Sequence, residues 1–183
     1  MPFRLAVKAA PVHEQLEQAL ELAKSTGIDA IEIQQLSSYE GFPVVYRDQK
    51  LRAALVADMC KDYCVEPVVV HAPADFRGDP YMADLSFASE KIVDDYKKAI
   101  DEAAEIGILT GTTPMFNFHV FGIMDNDELY RLLDTPQILR DVQKGMLDRG
   151  AVNIRKLREH VAGAIPLVIE NNTDFYADGI AHL

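Results

Sequence analysis

Short apolar runs alternate along this chain with longer stretches whose apolar residues recur at helical spacing. Phe3–Ala9 predicts a first strand that Pro11 breaks. His13–Ser25 follows with Leu16, Ala19, Leu20 and Ala23 on one helical face, and Gly27 closes that helix. Ile28–Ile33 predicts a second strand with Gln34 and Gln35 at its tip. Tyr39–Pro43 reads as a loop, and Asp48–Cys64 as a helix with Leu51, Leu55 and Met59 spaced for burial. Pro67–Val70 is the third predicted strand and delivers His71. After a loop over Ala74–Asp84, Ser86–Ile106 carries Val93, Tyr96, Ile100 and Ala103 on one face and stops at Gly107. Thr112–Phe118 is the fourth strand and ends at His119. Gly122–Asp134 reads as a loop. Thr135 caps a helix with Pro136 at its first position, running to about Val161. The apolar run Ile165–Ile169 is the fifth strand, of the kind buried on both faces in parallel sheets.

Strand and helix in strict alternation imply an α/β fold, a parallel sheet with right-handed crossovers. Alternation alone leaves a barrel and a doubly wound sheet open. No glycine-rich phosphate fingerprint follows the first strand, which counts against a dinucleotide site.

In both architectures ligands gather at the C-terminal ends of the strands. Three predicted strands end there in metal-competent side chains: His71, His119 and Glu170. Imidazoles and a carboxylate on neighbouring strands make a natural shell for a divalent ion, with manganese, magnesium, zinc and cobalt all open. Each residue alone has a plainer reading. A histidine after an apolar strand is more often a hydrogen-bonded core residue, and a glutamate can cap the next helix. Their joint occurrence on three strands favours a metal or substrate site. Asn172, two residues beyond Glu170, is a candidate substrate contact, although an Asn pair also forms turns.

Other polar residues change the picture less. Lys8, Glu32 and Gln34 fall near the ends of the first two strands. Lys8 reads as an anion contact or an exposed lysine, and Glu32 equally suits the helix layer. Arg77 fits a phosphate or an ion pair with Asp75 or Asp79, while His13, His160 and His182 are weak candidates. Cys60 and Cys64 lie four apart on a helix without further metal partners nearby, so they read as packing or surface residues. With 183 residues the chain is long enough for one domain over 1–183. Its 18 basic and 29 acidic residues give a formal charge of −11, which argues against a nucleic-acid partner. No segment is apolar enough for a bilayer span or a signal peptide, so the cytoplasm and no membrane partner are the expectation.

The segments VVVHAP at 68–73, FNFHVFG at 116–122 and LVIENN at 167–172 resemble the xylose-isomerase-like TIM-barrel superfamily. That group joins sugar and sugar-phosphate isomerases and epimerases with endonuclease IV. The resemblance runs over essentially the whole chain. It implies a (β/α) TIM barrel with a divalent metal at its C-terminal mouth and a small carbohydrate as substrate. Glu170 matches a fifth-strand glutamate that binds the metal and assists proton transfer. His71 and His119 match positions that bind metal in the nuclease and line the substrate pocket in epimerases. Lys8 or a neighbour stands where the nuclease has a first-strand histidine, and QQLSSYEGF lacks its arginine-rich loop, so the sugar branch is favoured. The nuclease, or a barrel piece with an incomplete site, is the alternative. Family barrels have eight strands and this sequence shows five, so the expectation is a barrel truncated after the fifth strand. Its uncovered edges and inner face would favour homo-oligomers.

Overall fold

The computed structural model describes residues 4–36, 38–74, 90–119 and 136–170, with a few of these, His119 and Glu170 among them, described through their backbone. Among the described residues five strands and five helices follow one another: β1 (Val7–Ala9), α1 (His13–Thr26), β2 (Ala30–Leu36), the one-turn α2 (Val44–Arg47), α3 (Gln49–Tyr63), β3 (Glu66–Ala74), α4 (Glu90–Thr110), β4 (Met115–His119), α5 (Pro136–Val161) and β5 (Leu167–Glu170). The loop expectations over Ala74–Asp84 and Gly122–Asp134 fall almost wholly outside the described residues.

The strands pair in the order β1-β2-β3-β4-β5, all parallel. This order decides between the two architectures. A doubly wound sheet reverses its strand order at a switch point, whereas a barrel wall adds each strand beside the last. Right-handed crossovers between successive neighbours put every helix on the same side. Accordingly α1 packs on α3, α3 on α4 and α4 on α5, as one layer.

Period-two alternation divides the strands between two environments. Ile31 and Ile33 of β2, Val70 of β3, and Phe116 and Phe118 of β4 are fully buried against the helices. Tyr96 of α4 meets both phenylalanines edge-on, at ring separations of 6.2 and 6.1 Å. Burying three such rings contributes on the order of 2 kcal/mol each. The other face has no helix cover among the described residues: Met115 and Val168 are 40% and 37% exposed there. Burial of β5 on both faces is therefore not what the structure shows.

The helix ends follow local chemistry. Asp48 caps α3 by accepting from the Lys50 and Leu51 amides, and Gly27 ends α1 in the left-handed conformation at φ 72°. Helix α4 runs past Gly107 to Thr110, and the left-handed Gly111 stops it. Gly107 serves another purpose. A Cβ there would stand 2.9 Å from both Pro114 Cδ and the Thr112 carbonyl, so its lack of a side chain lets the turn into β4 fold back on the helix. The buried face of α3 is also rotated from the sequence expectation. Arg52, Ala53, Val56 and Cys60 are buried, Met59 keeps its expected place, Leu55 is half-buried against the core, and Leu51 is exposed.

Arg52 lies at the centre of that buried face. Its Nε donates to Glu102 of α4 at 2.8 Å, a second nitrogen donates to the other Glu102 oxygen, and a third donates to the Tyr46 carbonyl. Its guanidinium also lies 3.9 Å from the Tyr39 ring centre. Tyr39 in turn donates to Gln35 Oε1 at 2.7 Å, and burial raises its phenol pKa. Tyr46 Oη accepts the His13 amide at 3.2 Å. One buried ion pair thus joins α3 to α4 and ties the segment after β2 to the start of α1. Glu102→Ala leaves the Arg52 cation buried without its carboxylate. Unfolding in urea should show a loss of about 3–5 kcal/mol, with the Arg52→Ala/Glu102→Ala double variant losing less than the two singles summed. A loss under about 1 kcal/mol, the range of an exposed pair, would contradict this role.

Candidate functional site

Register on the helix-free face sets the candidate site. Gln34 pairs with His71, His71 with Asn117, and Asn117 with Val168, one row across four strands. One side-chain layer toward the N-terminal ends, Lys8 pairs with Glu32, Glu32 with Val69 and Val69 with Met115. Toward the C-terminal ends, His119 and Glu170 are register partners as the last residues of β4 and β5.

His71 is not the strand-end residue that the sequence suggested. Strand β3 continues through Ala74, so His71 stands inside the strand with 2% exposure. Its Nδ1 lies 3.0 Å from the Ala72 carbonyl and 3.2 Å from Gln34 Nε2. With the proton on Nδ1 the ring donates to that carbonyl; with the proton on Nε2, Nδ1 accepts from the Gln34 amide. In both tautomers the ring is held through Nδ1. Gln34 is 4% exposed, and its amide nitrogen also donates to Ala72 O at 2.7 Å and to Gln35 O at 3.2 Å. A register shift between β2 and β3 falls at this point, and such irregularities re-aim side chains beside sites.

The two glutamines grouped by sequence part company. Gln34 faces His71, while Gln35 turns to Tyr39 on the helix side. Glu32 belongs with Gln34: its Oε1 accepts from Lys8 Nζ at 2.9 Å, so Lys8 is an ion-paired lysine on the helix-free face. Sequence reasoning passed over Asn117 because it sits inside the apolar run MFNF. The available signal was period two, which sets an Asn flanked by two buried phenylalanines on the opposite face.

For the metal reading, the structure places His119 and Glu170 side by side in the backbone ladder. The parallel β3 holds His71 next to Asn117, two residues before His119. Imidazole, imidazole and carboxylate suit a divalent ion, and a ring held through Nδ1 by a carbonyl is the usual support of a histidine ligand. Among the described residues no three His, Cys, Asp or Glu side chains come together. Asn172, Asn171, Arg77, Asp75, Asp79 and His182 lie outside the described residues. His13 and His160 lie on helices beside Glu17 and Asp101. Cys60 is buried, which pushes its thiol up to about 12, and Cys64 is exposed. No helix among the described residues is long and apolar enough to cross a membrane.

A sequential parallel sheet with one helix layer and a polar opposite face is the wall of a (β/α) barrel. One solved structure bears out that class. A xylose isomerase domain protein from Planctomyces limnophilus superposes with a TM-score of 0.57 at 15% identity, over 98% of this chain and 58% of that one. SacUVDE superposes with a TM-score of 0.49 at 19% identity, over 88% of this chain and 48% of that one. At 15% identity that first likeness is one of fold, the (β/α) barrel type. This chain spans 58% of the length of that protein. No protein-family profile matches the sequence, and no curated protein is similar to it.

Gln34→Leu removes the amide that donates to Ala72 O and lies against His71 Nδ1, while keeping an apolar body of similar size. Stability should fall by about 1–3 kcal/mol, and the His71 ring nitrogen shifts should move in a 15N spectrum. Unchanged stability together with unchanged ring shifts would contradict the anchoring.

Proposed function

We propose that this chain forms the metal-binding wall of a carbohydrate isomerase or epimerase that moves a proton next to a carbonyl. The observation that carries the reading is the polar row Gln34–His71–Asn117 on the helix-free face, with His119 and Glu170 as register partners at the neighbouring strand ends. Barrel interiors are ordinarily filled with branched aliphatic side chains, so a polar row there marks a ligand chamber. A solved protein described as a xylose isomerase domain protein shares the fold, which is in keeping with the reading.

Glu170, His119 and His71 are the residues that would hold the ion. A divalent cation held by these residues would polarise the substrate carbonyl and so acidify the neighbouring C–H. The Glu170 carboxylate accepts that proton and returns it to the adjacent or opposite position, the general acid–base role. With its Nδ1 proton donated to the Ala72 carbonyl, the His71 imidazole keeps one orientation, which spares the site that cost during reaction. Asn172 donates to a sugar hydroxyl. The substrate is a small ketose or aldose.

The test uses the purified 183-residue chain loaded with manganese and incubated with ketoses in deuterated water. Deuterium should enter at the carbon beside the carbonyl, and Glu170→Gln should slow this by about 10²–10⁴-fold. Full exchange in Glu170→Gln would overturn the assignment of the base. Absence of bound metal after dialysis would overturn the metal dependence.

A further inference from the structure

In the layer beneath the histidine row, β3 and β4 contribute the apolar Val69 and Met115, whereas β1 and β2 contribute an ion pair. Lys8 and Glu32 are register partners on β1 and β2, and their side chains meet at 2.9 Å on the helix-free face. They stand one inner-face step, about 7 Å, from Gln34 toward the N-terminal ends of the strands. That is the depth at which a closed barrel normally packs Val, Ile and Leu. The pair nevertheless sits in the same face as Gln34, His71 and Asn117, so the polar surface continues downward from the candidate metal end.

We propose that Lys8 and Glu32 form the floor of the substrate chamber and bind the hydroxyl groups of the carbohydrate at the end remote from the reacting carbonyl. An ammonium has three donors and a carboxylate accepts on two oxygens. Among the described residues, Lys8 commits one donor to Glu32 and Glu32 one oxygen to Lys8. The remainder is a donor set and an acceptor side by side, which matches vicinal hydroxyls that each donate and accept. The pair carries no net charge, so it suits a neutral polyol chain; a phosphate group would call for a surplus cation. The Lys8 side chain is 51% exposed and that of Glu32 23%, so both are open to a ligand on this face. The inference deepens the proposed function: it assigns to the same chamber an unphosphorylated hydroxyl-bearing segment of the substrate.

Xylitol tests the floor separately from the chemistry, because it carries hydroxyls and no carbonyl. Its binding to the 183-residue chain is titrated by NMR with a chelator present. Saturable binding should weaken about tenfold or more in Lys8→Met and in Glu32→Gln, with the melting curve by circular dichroism retained. Lys8→Gln, which keeps a donor but no charge, carries the same expectation if Lys8→Met does not fold. Equal xylitol affinity in the variants would overturn the floor, as would absence of saturable binding in the wild-type chain. Either result can occur with deuterium exchange intact, and lost exchange with intact xylitol binding would sink the isomerase reading instead.

Discussion

Parallel register across five consecutive strands is the constraint on which the rest of this structure depends. Each strand offers alternate residues to opposite faces, and a slip of one residue would exchange them all. With Ile33 beside Val70 and Val70 beside Phe116, the helix side closes into a continuous apolar layer. The same register then has no freedom over the other face. It must set Gln34 beside His71 and His71 beside Asn117. A polar row assembled from residues 34, 71 and 117 is therefore a consequence of how the core is satisfied.

Rigidity behind that face comes from the Arg52–Glu102 pair. Parallel strands are joined through helices, so errors in helix placement pass directly to the strand ends. A buried bidentate pair between α3 and α4 fixes the two helices that follow and precede β3, the strand that carries His71. The stacking of Tyr39 on Arg52, and the contact of Tyr46 with the first turn of α1, extend that fixation to the segment beyond β2. The chemistry-bearing face and the packing face are thus linked through the same strands.

Much of this was legible in the sequence, and the misses have particular causes. Helices α1 and α4 announce themselves because one apolar stripe repeats every three or four residues and nothing competes with it. Helix α3 misled because Arg52 is buried by Glu102, a residue 50 positions away that periodicity cannot see. His71 looked like a strand end because Ala72-Pro73 follows it, yet the shifted register lets β3 run on to Ala74. Asn117 was hidden in an apolar run, although alternation with Phe116 and Phe118 already placed it on the other face. Lys8 and Glu32 were each visible, but their pairing required the β1–β2 register, which no local pattern supplies. The fold class needed only the strand–helix alternation and the family resemblance; the strand order then chose the barrel.

The central claim is that one inner face gathers histidine nitrogen and carboxylate oxygen around a divalent ion. Electron spin-echo modulation of the manganese-loaded chain reads this directly, since an imidazole bound to the ion imprints 14N frequencies on the echo. The account predicts such modulation in the wild-type chain, reduced in His119→Gln and absent in the His71→Gln/His119→Gln double variant. Bound manganese with no nitrogen modulation in the wild-type chain, or modulation unchanged in the double variant, would contradict it.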